Sequence, residues 1–556
     1  MRRKIFTSFR LRVIALILAL IVLVPSLSGC ASLIGLLRYY VTYAGYVEYF
    51  EEYQFNYTDQ EYEKFRDAQD RVATLLSYNT EGVRSDVVDA FRAYYNAYIR
   101  LGSQYQLSML NYSLTPNDEQ TVSDYEEMSV RYNEAYAQYM EILTTVVDSI
   151  FRDELMGDFT EELIEFVRNQ ARTNTPEILE LNNRNDELVL KQHELDPTDP
   201  SYAQKNDVLY AEFSANNRRI AELLGDATYM DYAGWSTYNR EFKMEDIVSF
   251  LRTYASYADA WYVRAEDAFN SKVANLTETQ LTELSMLLYE EFYKPTQKKR
   301  IEGFMAWMPD SFSKFYKDVN EKYQCIFTGS AEDGSRDGAF TTTLASTGVP
   351  IMYFGPGAYS GPFTFVHEFG HAFNQFSTRQ SDIQASFEFS ETTSQADEAL
   401  FMIYLKNEVS PEVYDVLRAY YLVNTIQDIE LALAVTMFEE EIYRTGETDF
   451  EAVMEETCEL YTPHLFDELG DRLCTYIRQV TMDSPAYYMS YALSLTPCLE
   501  LYMTASDPTV TKDTYQTMYI TLVTDRVHTY RDALKNAGFS DPFSEETIRK
   551  LDAFLG

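Results

Sequence analysis

From Leu33 to about Asp226, Tyr, Leu, Ile and Val recur every three to four positions, with Glu, Arg and Asn between them. That period lays an apolar stripe along one face of a helix, so the stretch reads as helical throughout. The pattern breaks at Leu114-Thr115-Pro116-Asn117, at Thr173-Asn174-Thr175-Pro176 and at Asp196-Pro197-Thr198-Asp199-Pro200, where proline and short polar residues favour turns. Helical spacing continues from Met244 through Leu288 and resumes from about residue 364 to the end. Residues 325–361 differ: Gly329, Gly334, Gly338, Gly348, Gly355, Gly357 and Gly361 punctuate a Thr-rich stretch that includes the apolar run Val349 to Phe354. This interval reads as a small β region within a mostly α chain. No internal repeat or low-complexity linker is present, and 556 residues are ample for one large core or two lobes.

The first residues follow another pattern. Arg2, Arg3, Lys4, Arg10 and Arg12 precede a continuous apolar run from Val13 to Val24, too short to span a bilayer as a helix. Leu27-Ser28-Gly29-Cys30 follows and resembles a bacterial lipoprotein signal. The resemblance implies that residues 1–29 are a signal peptide and that Cys30 carries lipid as the first mature residue. The body would then be anchored at the extracytoplasmic face of the cell membrane; a true transmembrane anchor is the alternative. Net charge is −41, which argues against nucleic acid and against electrostatic docking to anionic lipid, and weakly favours cationic or neutral peptides. Cys325, Cys458, Cys474 and Cys498 have no CxxC spacing and read as buried free thiols.

Candidate chemistry is concentrated in His367-Glu368-Phe369-Gly370-His371. The chain has five histidines, and with 87 acidic residues in 556 the pattern His-Glu-x-x-His is expected roughly 0.01 times by chance. On a helix His367 and His371 lie one turn apart on one face, so both imidazoles can hold one ion. Glu368 is about 100° around the helix, within reach of a water at that ion without binding the ion itself. Two neutral His ligands and a carboxylate base are the parts of a zinc peptidase site. Zinc needs a third protein ligand, and residues 388–398 offer Glu388, Glu391 and Glu398. Glu391 and Glu398 stand two turns apart on one stripe, so one can bind metal while the other accepts the free ring N–H of a ligating histidine. Glu388 competes for the ligand role, and spacing does not decide between it and Glu391.

These stretches resemble the thimet oligopeptidase and oligoendopeptidase F group of zinc metallopeptidases. The likeness rests on His367 to Phe373, on Glu391 to Glu398, and on Ser484-Pro485-Ala486-Tyr487-Tyr488-Met489-Ser490-Tyr491-Ala492-Leu493. Gly338-Ala339-Phe340 with the strand Val349 to Phe354, and Ala537 to Phe543, add to it. The resemblance implies one Zn²⁺ on His367, His371 and Glu391, with Glu398 supporting a ligand. It also implies a two-lobed, zincin-like helical fold with a small sheet beside the active-site helix and a deep channel that admits oligopeptides only. Residues 30–225 would form an N-terminal helical domain and 226–556 the catalytic domain. Two departures stand out: Asn374 occupies a position where the family often has histidine, and residues 475–486 contain no histidine, although the family usually has one shortly before its tyrosines.

The tyrosines also have a reading of their own. Peptide hydrolysis builds negative charge on the carbonyl oxygen, and a phenol hydroxyl aimed there stabilises it. Tyr488 and Tyr491, three apart on one helix face, are the candidates, although tyrosine is abundant in this chain and Tyr-rich helices usually serve packing. The expected activity is that of a zinc endopeptidase for short peptides, in which Glu368 deprotonates the attacking water. Two rivals remain: a zinc carboxypeptidase of similar helical build, and a surface lipoprotein that captures peptides without cutting them. The second would predict decay of the catalytic glutamate, and Glu368 is intact.

Overall fold

In the computed structural model, residues 53–156, 161–173, 175–196, 198–344, 346–378, 386–525 and 529–555 are described. The expected signal segment 1–29 and Cys30 lie outside these residues. The breaks in the sequence pattern are helix ends: one helix stops at Leu114, another at Thr173 before Pro176 begins the next, and another at His193 ahead of the 196–200 turn. None of the helices among the described residues is long and apolar enough to cross a membrane. Cys325, Cys458, Cys474 and Cys498 are free and buried.

The β region forms one three-stranded sheet of order β1-β3-β2, with β1 at Ile326–Thr328, β2 at Ala339–Leu344 and β3 at Val349–Phe354. β3 is central, parallel to β1 and antiparallel to β2, and every one of its residues is buried. Its unbroken apolar run follows from having both faces covered. One face lies under the helix Arg84–Leu114, where Leu107 and Leu110 meet Leu344, Ile351 and Tyr353. The other lies on the helix Pro362–Thr378, called here the motif helix. β2 alternates accordingly: Thr342 bonds Gln106 of the first helix, whereas Thr341 and Thr343 bond Glu368 and Gln375 of the motif helix. Among the described residues β2 pairs only with β3, so its outer edge has no strand partner there.

Three further helices complete the frame. The acidic helix Phe387–Leu405 is started by Ser386, whose side chain accepts the Phe389 N–H. The long helix Pro411–Thr445 has Pro411 in its first turn and ends on Gly446 in the left-handed region. The tyrosine helix Met489–Ser506 packs closely on the acidic helix and carries Pro497 in its interior. A proline there leaves the carbonyl four residues back without its helical donor, and the Tyr530 hydroxyl donates to that Leu493 oxygen at 3.0 Å. The same hydroxyl lies 2.9 Å from Thr392 of the acidic helix, so one buried phenol joins the two helices where the pattern is broken.

One apolar cluster draws on distant parts of the chain. Leu188, Tyr210 and Phe213 pack in one apolar cluster with Ile429, Leu433 and Phe438 of the long helix and with Ala492 and Leu493 of the tyrosine helix. Helices on both sides of residue 225 therefore share one core. A second cluster surrounds the motif helix through Phe365, Phe369 and Phe373, and a third is confined to helices between residues 59 and 167.

Candidate active site

Two helices meet at Gly370. A Cβ built there would lie 2.8 Å from the Ser394 Cα and 3.2 Å from the Thr393 oxygen, closer than real side chains approach. The motif helix and the acidic helix are thus in backbone contact, which only glycine permits. That contact sets Glu391 opposite the imidazoles. His367 Nε2 is 3.7 Å from one Glu391 oxygen and His371 Nε2 is 3.7 Å from the other. The three donor atoms lie within 4.8 Å of one another. These separations are too long for hydrogen bonds and close to the donor–donor spacing of about 3.4 Å that a tetrahedral ion with bonds of about 2.1 Å would set.

The far side of each ring is also occupied. Glu398 lies 2.6 Å from His367 Nδ1, and the Ser390 hydroxyl is 3.3 Å from His371 Nδ1. Both rings therefore present Nε2 to Glu391, the orientation that ligation requires. From protein groups alone, the site makes opposing demands. Burial works against a charged His367, but the Glu398 hydrogen bond and the Glu398, Glu391 and Glu368 charges outweigh it and raise its pKa to about 10. Burial, and then the His367 charge, pushes His371 well below the ordinary histidine value. Burial lifts the Glu391 carboxyl to about 7. A divalent cation between them resolves all three demands, because it favours ionised Glu391 and neutral imidazoles together. The donor set fits Zn²⁺.

Glu368 points to another partner. The Thr341 hydroxyl donates to its Oε2 at 2.7 Å and lies 2.9 Å from its backbone oxygen, so β2 and the base are held together. Its side chain is nearly buried, and that burial raises its pKa above the ordinary glutamate value. Thr341 gave no signal in the sequence beyond its place on a candidate strand beside the motif.

Glu388 stands apart from the donor cluster. It is fully buried and accepts from Arg240 Nε at 2.5 Å and from the Ser490 hydroxyl at 2.8 Å. Arg240 also donates to the Ala486 oxygen at 2.9 Å and to Ser490 at 2.8 Å, and its guanidinium lies 4.4 Å above the Tyr238 ring. Tyr238 donates in turn to the Pro485 oxygen, and buried Glu439 accepts the Ala486 N–H. Ala486 has φ +61°, a conformation that a non-glycine residue keeps only when its surroundings impose it. Arg240, Glu388, Tyr238 and Glu439 impose it and fix the turn from which the tyrosines project.

The tyrosine helix proper begins at Met489, one residue after Tyr488. Tyr488 turns its hydroxyl to Tyr476, and Asp428 acts on both phenols. The partner of Tyr491 is instead Tyr487, with the two hydroxyls 3.1 Å apart. The Glu391 carboxylate is among the charges acting on Tyr487 and on Tyr491. Burial, with the Glu391 and Asp428 charges outweighing an opposing Tyr487 hydrogen bond, pushes Tyr491 up to about 12; burial, and then the Tyr491 phenol and the Glu391 charge, pushes Tyr487 higher still. Both stay protonated and able to donate. Tyr487 stood inside the sequence motif, but spacing did not single it out. The histidine absent from 475–486 has no replacement in His464, whose ring and backbone N–H are bound to Glu266 and Asp259.

By sequence, no family model matches the chain, and no curated protein matches it. By structure, it resembles a protein provisionally described as an oligoendopeptidase F, at TM-score 0.68 and 15% identity over 92% of this chain and 97% of that one. It resembles a PZ peptidase A solved with an inhibitor at TM-score 0.68 and 13% identity, over 92% of this chain and 99% of that chain. An oligoendopeptidase F from Enterococcus faecium aligns at TM-score 0.55 and 12% identity over 89% and 96%. At these identities the likeness establishes the fold: a mostly helical oligoendopeptidase F fold with a small sheet beside the motif helix.

Proposed function

We propose that this chain is a zinc-dependent endopeptidase for short peptides, held at the extracytoplasmic face of a bacterial membrane by lipid on Cys30. The observation that carries the catalytic reading is the donor set His367, His371 and Glu391, with Glu368 beside it, on an oligoendopeptidase F fold. The lipid anchor rests on Leu27 to Cys30 alone. Zinc, when bound, supplies a Lewis acid that polarises the scissile carbonyl and makes water more acidic.

The chain's own residues do the rest. The unpaired outer edge of β2 offers backbone groups to an extended peptide, which a folded protein does not present. Glu368 takes the proton of the attacking water and returns it to the leaving amine; Thr341, bonded to Oε2, orients the carboxylate and leaves Oε1 for that proton. Tyr491, steadied by Tyr487, donates a hydrogen bond to the oxygen on which charge develops. Tyr488 is further from this role because Tyr476 engages its hydroxyl. Tyr491→Phe should therefore lower kcat by about 10²-fold with KM little changed, Tyr487→Phe should lower it less, and Tyr488→Phe least. Steady-state kinetics on one quenched-fluorescence peptide ranks the three, and equal kcat in all of them returns these rings to packing.

The functional reading is tested on purified protein with an unbiased peptide mixture, metal analysis and mass spectrometry of the products. One zinc per chain, loss of cleavage on chelation, recovery with zinc, and cuts within peptides of several to about twenty residues are expected. Cleavage that persists unchanged after metal removal, or efficient digestion of a native globular protein, defeats the reading. In cells, Cys30→Ala should move the protein out of the membrane fraction; an unchanged membrane fraction removes the anchor without touching the catalytic reading.

A further inference from the structure

A cavity of about 200 Å³ lies at the β1 edge of the sheet. Its apolar wall is made by Phe292, Ile301, Ile326 of β1 and Phe365 of the motif helix. The rings of Phe292 and Phe365 are 4.6 Å apart, and the Phe292 N–H donates to the Ser360 oxygen at 2.7 Å. This wall is thereby fixed to the start of the motif helix. Two features separate the cavity from the peptide cleft. β1 and β2 are the opposite edges of the sheet, because β3 lies between them. Phe365 also stands two positions before His367, about 200° around the motif helix, so it faces away from the donor set. An occupant of the cavity would press on the back of the helix that carries both imidazoles without entering the cleft.

The mouth has a definite charge. Acidic residues outnumber Lys and Arg in this chain by 87 to 46, yet none lines the cavity, and Lys298 is the one charged residue that does. The Lys298 ammonium has no ion pair or hydrogen bond to a described residue. Thr328, exposed at the same mouth, adds a hydroxyl donor. A lone surface lysine is ordinarily solvated; this one stands over an enclosed apolar space. We propose that the cavity binds a hydrophobic carboxylate, whose aryl or alkyl group fills the space and whose anionic head meets Lys298. The size suits that class. An apolar cavity of about 150 Å³ holds benzene, so this one admits a single ring or aliphatic side chain beneath the head group. Such a group has two sources, the C-terminal residue of a peptide and a free fatty acid. Binding requires no cleavage, so the assignment stands apart from the peptidase reading.

The test titrates the purified full chain, by ligand-observed NMR, with phenylacetate and with phenylethanol, its neutral counterpart. Phenylacetate should bind about fivefold or more tightly than the alcohol. Lys298→Gln should bring the two to near equality by weakening phenylacetate alone. Thr328→Trp should block both by filling the mouth, and an unchanged melting temperature without ligand checks its fold. Bound phenylacetate should also raise the melting temperature of the wild type and not that of Lys298→Gln at the same concentration. N-acetylphenylalanine and octanoate then distinguish the sources, since the tighter of the two identifies a peptide C-terminus or a fatty acid. Carboxylates also bind zinc, so each titration is repeated on metal-stripped protein. Binding that vanishes with the metal and ignores Lys298→Gln belongs to the donor set and overturns the assignment. No binding of phenylacetate, or equal affinity for the acid and the alcohol in the wild type, overturns it as well.

Discussion

Glu368→Gln is expected to keep one zinc per chain and to lose kcat by about 10²–10⁴ or more. Zinc should stay because the three donors are His367, His371 and Glu391, and Glu368 is not among them. The fold should stay because the amide has the shape of the acid and still accepts the Thr341 hydroxyl through its oxygen. Proton acceptance is what disappears: an amide cannot take a proton from water or return it to an amine. The pH profile carries the same signature. Burial raises the Glu368 pKa, so the carboxylate needed as base is lost as pH falls through a value above the ordinary glutamate range. The acidic limb of kcat/KM should accordingly lie above about 4.3 in the wild type. Metal analysis beside steady-state kinetics decides the matter, and a Gln variant with wild-type kcat and full zinc excludes Glu368 as the base.

The sequence was most legible where one local rule governs. Helix ends at Leu114 and Thr173 follow from the turn chemistry around Pro116 and Pro176. The buried strand Val349–Phe354 follows from an apolar run too short for a helix among glycines. His367 and His371 share a face because the helical period puts them there. The sequence was silent where a distant partner decides. Glu388 and Glu391 are one turn apart on the same acidic helix, and nothing local tells them apart. Arg240, nearly 150 positions upstream, claims the first, and the close crossing at Gly370 sets the second against the imidazoles. Spacing paired Tyr488 with Tyr491, whereas the held turn at Ala486 and the hydroxyl of Tyr476 leave Tyr487 as the partner of Tyr491.

The two glutamates also separate metal binding from positioning, and their variants should fail in different ways. Glu391→Gln removes the charge that faces both Nε2 atoms at 3.7 Å. Zinc affinity should fall by at least 10²-fold, with activity returning only at high added zinc, because a neutral amide is a poor ligand for a divalent cation. The fold should hold, since Glu391 anchors no distant segment. Glu388→Gln should keep zinc at one per chain, because Glu388 lies outside the donor cluster. Its effect goes through Arg240 instead. Breaking a buried ion pair costs about 3–5 kcal/mol when one charge is left uncompensated, and Arg240 also holds the Ala486 carbonyl and Ser490. The turn that carries Tyr487 and Tyr491 loses its anchor, so the melting temperature and kcat should drop together at unchanged zinc content. Zinc titration, thermal melting and kinetics on the two variants give opposite patterns. Full zinc affinity in Glu391→Gln with lost affinity in Glu388→Gln would exchange the two roles.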